Sequence, residues 1–219
     1  MSIKLYAHPF SSYCQKVLIA FYENAIPFEY CLLEPGQDQV LADFAARWPI
    51  KRFPVLADGK RTVFEATIII EYLSLHYPGA IKLLPADPDT ALNVRMLDRF
   101  FDNYVMTPMQ KIVTDKLRPE QDWDNHGVGE ARKLLDTSYR WLNDTLKGKE
   151  WMAGNSFSLA DCAAAPSLFY ADWAHPIAEE FGEVRAYRQR LLARPSVARA
   201  VDEARPYRQY FPLGAPDRD

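Results

Sequence analysis

Cysteine is scarce in this 219-residue chain, which has only Cys14, Cys31 and Cys162. Three are too few and too scattered for a disulfide framework, and the odd count fits a reducing compartment. Histidine is nearly as rare. His8, His76, His126 and His175 fall at no metal-ligand spacing, so the sequence offers no zinc site, and none of its residues is assigned to a metal. Glycine numbers nine, and neither a P-loop nor a glycine-rich dinucleotide fingerprint is present. Long apolar runs are missing too. Ile68-Ile69-Ile70 is bracketed by Glu65 and Glu71 and falls far short of a membrane span. Met1-Ser2-Ile3-Lys4-Leu5-Tyr6 does not read as a secretory leader. Nor does charge of one sign dominate: 26 basic and 29 acidic residues leave −3, with no overall pull toward nucleic acid or an anionic membrane. The expectation is a cytoplasmic protein that engages neither.

What is present is ordinary for a globular protein: 48% hydrophobic and 25% charged residues. The length fits one large domain or two small ones. Residues 1–77 mix strand and helix patterns. Ile3–Ala7 reads as a strand. From Ser12 to Asn24, Tyr13, Val17, Ala20 and Phe21 recur at helical spacing until Pro27 stops them. Phe28–Leu32 reads as a second strand, so the order implies a parallel crossover. Val40, Leu41 and Phe44 suggest a short helix. Pro54–Ala57 and Thr62–Phe64 flank Asp58-Gly59, a hairpin signal, and Glu65–Tyr77 follows as a helix with Ile69, Tyr72, Leu73 and His76 on one face. The expected order is βαβ-α-ββα.

Residues 78–88, with Pro78, Pro85 and Pro88, read as a linker. Residues 89–219 show no convincing strand. Ala91 to Val105 trace a helical stripe that Pro108 is expected to end. Residues 118–129, with Gly127 and Gly129, are expected to be a loop before a helix running from Ala131. Leu159–Trp173 is apolar nearly all round and should be a buried helix, begun by the Ser158-x-x-Asp161 capping box with Phe157 as its staple. Val184–Ala193 and Val197–Tyr207 are two more helices, and Phe211–Asp219 is expected to be loosely held.

Three segments can carry chemistry. Pro9-Phe10-Ser11-Ser12-Tyr13-Cys14 lies between the first strand and first helix, where free N–H groups and the helix dipole favour an anion such as a thiolate. Taken alone, a capping role explains either serine with nothing further. Arg52-Phe53-Pro54-Val55 puts a proline at the start of an interior strand, which makes sense if the Phe53–Pro54 bond is cis and turns backbone groups toward a ligand. Phe64-Glu65-Ala66-Thr67 enters the third helix, where Glu65 is either a first-turn charge or a partner for a ligand ammonium. Phe10, Tyr104, Met106, Met109, Phe169 and Trp173 are candidates for a pocket wall, although singly such residues are more often core.

These segments, in this order and followed by a helical half containing the capping box, resemble the cytosolic glutathione transferase superfamily of bacterial, serine-type members. The resemblance covers essentially the whole chain. It implies an α/β thioredoxin-like N-terminal domain (1–77), the linker (78–88), and an all-α domain (89–219) supplying the electrophile pocket. Ser11 falls where serine-type members keep the hydroxyl that hydrogen-bonds the glutathione sulfur, with Ser12 as the alternative one residue away. Trp48-Pro49-Ile50-Lys51-Arg52-Phe53-Pro54-Val55-Leu56 is similar to Asn-Pro-x-Gly-Lys-Val-Pro-x-Leu. It implies Pro54 as the cis proline beside Phe53, Val55 pairing with the cysteinyl backbone, and Arg52 reaching the glycine carboxylate. Glu65-Ala66-Thr67 looks like Glu-Ser-x, with Ala66 in place of the serine that helps bind the γ-glutamyl carboxylate; the Ala66 N–H remains, and the Thr67 hydroxyl need not point the same way. Lys51 replaces the family's glycine. Tyr6 is the less suitable thiol donor, because its register turns it to the other face of the sheet.

The implied activity is conjugation of glutathione, as co-substrate, with an apolar electrophilic small molecule, or a related isomerase or dehalogenase reaction, in a homodimer. Two alternatives stay open: a non-catalytic interaction module, and thiol–disulfide chemistry at Cys14. For the dimer, Arg95, Asp98, Arg99 and Asp102 beside the helical stripe are either a self-complementary contact or a solvated face.

Overall fold

The computed structural model describes residues 3–219. Period-two alternation builds a four-stranded sheet of order β2-β1-β3-β4 from β1 (Ile3–Ala7), β2 (Phe28–Leu32), β3 (Val55–Asp58) and β4 (Arg61–Phe64). β1 runs parallel to β2 and antiparallel to β3, and β3 pairs antiparallel with β4 across the Gly59 turn. Along β1, Ile3, Leu5 and Ala7 face the large core, whereas Tyr6 faces the other side. There it joins Cys31, Val55, Ala57 and Phe44, the last from α2 (Asp38–Arg47). On the first face lie α1 (Ser12–Glu23) and α3 (Ala66–His76). The expected strands and hairpin form as read. The buried face of α3 is Ala66, Ile69, Ile70 and Leu73, while His76 is exposed and Tyr72 donates its hydroxyl to Asp58 (2.8 Å).

α1 is the hub: every residue from Cys14 to Phe21 is buried, and the helix packs on α3, on α7 (Leu159–Ala174) and on α9 (Pro195–Ala204). The linker is tied to the end of α1. The Asn24 carboxamide bonds the Ile81 N–H and carbonyl (2.9 and 3.0 Å), and Gly79 lies so close that a Cβ would fall 2.1 Å from Asn24 Oδ1. The Leu159 N–H, at the start of α7, donates to the Leu83 carbonyl (2.8 Å).

Pro108 does not end the fourth helix. α4 (Pro88–Phe100) passes into a π turn (Phe101–Met106) and then α5 (Thr107–Asp115), with Pro108 in the first turn of α5. In an α-helix the missing N–H of Pro108 would leave the Tyr104 carbonyl short of a partner. The buried Ser138 hydroxyl donates to that carbonyl instead (2.8 Å), and the Thr107 hydroxyl donates to the carbonyl of Asp102 (2.9 Å).

The loop expected over 118–129 is also shorter. α6 (Asn125–Thr145) takes in both glycines, because the Asp124 carboxylate caps the Gly127 N–H at 2.8 Å. A Cβ on Gly127 would sit 2.2 Å from that carboxylate, so glycine is what lets the cap approach. α8 (Gly182–Ala193) begins two residues before the expected Val184, and α9 gives way after Ala204 to a 3₁₀ turn (Arg205–Tyr210).

The tail is not loose. Phe211 is buried against Trp173, Arg218 pairs with Asp172, and the Asp219 carboxylate accepts from Arg205 and Arg208. The partners of Arg218 and Asp219 lie outside the tail, which is why its composition alone misleads. Among the described residues no helix is long and apolar enough to cross a membrane.

The capping box forms as read. Asp161, fully buried, accepts from the Ser158 N–H (2.9 Å) and hydroxyl (2.9 Å), the Met152 N–H (2.8 Å) and the Tyr187 hydroxyl (2.5 Å). Asp161→Ala strips a buried acceptor from four donors and should cost about 3 kcal/mol or more of stability. Asp161→Asn, which keeps one acceptor, should cost less. Urea unfolding of both variants checks the ranking.

Candidate functional site

A cleft of ≈ 560 Å³ opens between the sheet and the long helices. Its sheet side is made by Ser11 and Tyr13 at the start of α1, by Trp48 and Lys51–Pro54, and by Phe64–Ala66 at the β4–α3 corner. Its helical side is Arg99, Asp102, Asn103 and Gln110. The three segments picked out in the sequence therefore meet in one place.

Ser11 is the N-cap of α1, extended at φ −85° and ψ 124°, with its hydroxyl 3.4 Å from the Cys14 N–H. That bond is long, so the cap is weak and the hydroxyl remains available to a ligand. Ser12 is buried and outside the cleft lining. The turn ahead of Ser11 is clamped from the helical side. Gln15 donates to the Pro9 carbonyl (2.9 Å) and to the Tyr170 hydroxyl (3.0 Å), and Tyr170 donates to the Phe10 carbonyl (3.0 Å). Gln15 and Tyr170 escaped the sequence reading, since nothing local marks a buried glutamine as a loop strut whose second partner lies 155 residues away. Burial raises the Tyr13 phenol to about 12, so in the cleft it stays a neutral donor.

The Phe53–Pro54 bond is cis. Lys51 sits at φ 56°, the left-handed region for which glycine is the easy residue. Trp48 and Phe64 stack at 3.9 Å and 13° to form one wall. Arg52 lines the cleft and is exposed. Val55 lies inside the sheet, fully buried and paired with both Tyr6 and Phe64, and is not part of the lining. Phe53 is, and it lies outside the ladder.

Glu65 caps α3 from φ 70° and ψ 117°, a strained position for a residue with a Cβ. Its carboxylate makes no cap bond and lines the cleft. The first intrahelical bond runs from the Ile69 N–H to the Glu65 carbonyl, so the N–H groups of Ala66 and Thr67 stand free at the positive end of the helix.

The Thr67 hydroxyl turns away. It accepts from Lys16 (3.0 Å), donates to Asp98 (2.9 Å), and lies against Arg99. These groups form one buried network. Lys16 Nζ is 2.6 Å from Asp98 and 2.9 Å from Asp102, with Lys16 and Asp98 at most 1% exposed. Burial, opposed by Lys16, holds the Asp102 carboxyl above the usual carboxylate range.

The helical wall of the cleft is polar, and none of the apolar residues expected in a pocket wall lines it. Met106, Met109, Phe169 and Trp173 are all buried in the core, and Phe10 and Tyr104 lie outside the cleft lining. The sequence showed only that these side chains are apolar, which suits core and pocket equally. Tyr6 is equally removed. It is buried on the opposite face against Asp43, with Arg47 donating to its hydroxyl (3.2 Å). The charges considered for a two-fold contact are spent within the chain: Asp98 and Asp102 on Lys16 and Arg99, and Arg95 on Glu71 (2.8 Å). Among the described residues no cluster of His, Cys, Asp and Glu is placed to hold a metal.

The chain matches two family models, "Glutathione S-transferase, N-terminal domain" over residues 5–80 and "Glutathione S-transferase, C-terminal domain" over residues 104–195. It is 24% identical to Protein LigF of Sphingobium sp., across 94% of this chain and 95% of that one. It is 25% identical to glutathione S-transferase F6 of Arabidopsis thaliana, across 91% and 99%. Among solved structures it is similar to a glutathione S-transferase of Methylobacterium radiotolerans in complex with glutathione sulfonate, with a TM-score of 0.79, 25% identity, and coverage of 92% and 95%.

Cys14 is fully buried, and burial pushes its thiol up to about 12 against the weaker pull of the Ser11 hydroxyl. The native protein should therefore leave Cys14 unalkylated by iodoacetamide at mildly alkaline pH, while denaturant exposes it. Peptide mass spectrometry with and without denaturant reads the difference.

Proposed function

The chain belongs to the glutathione S-transferase family, and on that premise we propose that the cleft binds glutathione and activates its thiol for attack on an electrophilic small molecule. The observation that carries this reading is the convergence of the Ser11 hydroxyl, the free N-terminus of α3 and the Glu65 carboxylate on one cleft. A free thiol has a pKa of about 8.5, and the thiolate is the nucleophile. The Ser11 hydroxyl donates to the sulfur, and the positive end of α1 adds its field. The sulfur then bonds to the electrophilic carbon as the leaving group departs, and the thiol proton goes to solvent.

At the other end of the tripeptide, Glu65 takes the γ-glutamyl ammonium, and the N–H groups of Ala66 and Thr67 take the adjacent carboxylate. Arg52 takes the glycine carboxylate. Phe53, rather than Val55, offers the cysteinyl backbone its partner, because Val55 is already paired on both sides. Tyr13, Asn103 and Gln110 face the electrophile in place of the apolar residues first expected. Burial of Cys14 argues against thiol–disulfide chemistry there. Homodimerisation is supported by the unpartnered apolar residues Ile68, Leu92 and Met96 on α3 and α4, each more than half exposed. Three free, buried cysteines suit a cytoplasmic setting.

Ser11→Ala should lower turnover with a generic electrophile by about 10- to 100-fold, the loss of one hydrogen bond to a charged partner. It should change glutathione affinity much less, and the apparent pKa of the bound thiol should rise. Ser12→Ala and Tyr13→Phe are the controls; loss of turnover in either, with Ser11→Ala active, moves the thiol contact to that residue. Glu65→Ala should weaken glutathione binding in calorimetry. For the dimer, sedimentation should give twice the 25.2 kDa chain mass, and Leu92→Glu with Met96→Glu should return it to monomer.

A further inference from the structure

Glutathione recognition in this chain lacks one expected group: residue 66 is alanine, and the hydroxyl of Thr67 beside it is turned into the buried network. The free N–H groups of α3 alone would face a full carboxylate charge. Arg99 reaches the same corner from α4. It lines the cleft together with Ala66 and Glu65, and it lines the adjoining hollow of ≈ 290 Å³ with Ala66, Glu65 and Thr67.

Its guanidinium is held on one side only. Nε and Nη2 bond Asp98 (3.1 and 2.9 Å), and Nη2 also bonds Asp102 and Thr67. Among the described residues Nη1 has no partner, and half of the side chain is exposed. The charges around it balance: Lys16 and Arg99 stand against Asp98 and Asp102, so the guanidinium is not overcompensated. A planar cation with its rotamer fixed by two carboxylates and two donors unspent is preorganised to receive an anion. Glu65, on the same rim, suits the ammonium of a zwitterion.

We propose that Arg99 binds the γ-glutamyl α-carboxylate of glutathione through Nη1, taking the place of the side chain that Ala66 does not provide. This rests on the glutathione reading above. It also assigns the buried network a purpose in binding, since Lys16, Asp98 and Asp102 fix the orientation of the ligand-binding guanidinium.

The test is calorimetry on the full chain with two probes, glutathione and 4-aminobutyryl-cysteinylglycine, which is glutathione without that carboxylate. Arg99→Ala should weaken glutathione by about 10- to 100-fold, the range of a charge-assisted bond, and leave the affinity for the truncated peptide unchanged. Equal weakening of both probes would show that Arg99 only supports the fold, and an unchanged glutathione affinity would show that it does not bind; either overturns the proposal. Should Arg99→Ala fail to fold, Arg99→Gln, which retains an amide donor for Asp98, gives the same comparison. Absence of glutathione binding by the unmodified protein removes the glutathione reading itself, and this inference with it.

Discussion

A lysine ammonium sealed inside a protein must find its countercharge there, because leaving it unpaired costs several kcal/mol. Lys16 lies within the fully buried stretch of α1, and its two carboxylates come from residues 98 and 102, one helical turn apart. That requirement places the end of α4 against α1 and α3 and nowhere else. Once it is there, Arg99, Asp102 and Asn103 form the far wall of the cleft, and the start of α3 is tied through Thr67 to the same point. The position of the cleft follows from neutralising one charge.

Two further ties make the cleft rigid where it matters. Tyr170 and Gln15 hold the backbone ahead of Ser11 from inside the helical core, and the bidentate contact of Arg194 with Glu23 (2.5 and 2.7 Å) joins the far end of α1 to the turn before α9. The groups proposed to meet the thiol are thus fixed by side chains that never touch it. Their buried polar bonds are specific in direction, and apolar packing alone would not set the orientation of a backbone carbonyl.

The strands, the hairpin and the starts of α1, α3 and α7 were legible because local rules govern them: alternation, a glycine turn, a capping serine. The three segments that line the cleft are legible only as an ordered set with a family resemblance, since each alone has a plain structural reading. What could not be read depended on distant partners. Pro108 looked like a terminator because the hydroxyl of Ser138, thirty residues on, is invisible in the local pattern. The tail looks loose in the sequence because Arg218 and Asp219 find their partners, Asp172 for the first and Arg205 and Arg208 for the second, elsewhere in the fold. Met109 of α5 and Phe169 and Trp173 of α7 lie in the core and outside the polar cleft lining, since hydrophobicity does not say which way a side chain faces. Val55 and Phe53 differ by two positions, and only the observed strand pairing decides which backbone remains free.

The π turn at Phe101–Met106 gives the α4–α5 rod one residue more than an α-helix of the same span would hold. Everything beyond it is therefore set back by one step of helical phase. In a continuous α-helix the angular place of Gln110 in the cleft wall would fall to Met109, and the wall would become greasy there. Polarity of this surface is thus written in the winding of the chain as well as in its letters. A lineage that shed one residue in this turn would leave an ordinary α-helix with Gln110 still facing the cleft, whereas one that kept the length and lost the π turn would bring Met109 into the wall without substituting any residue there.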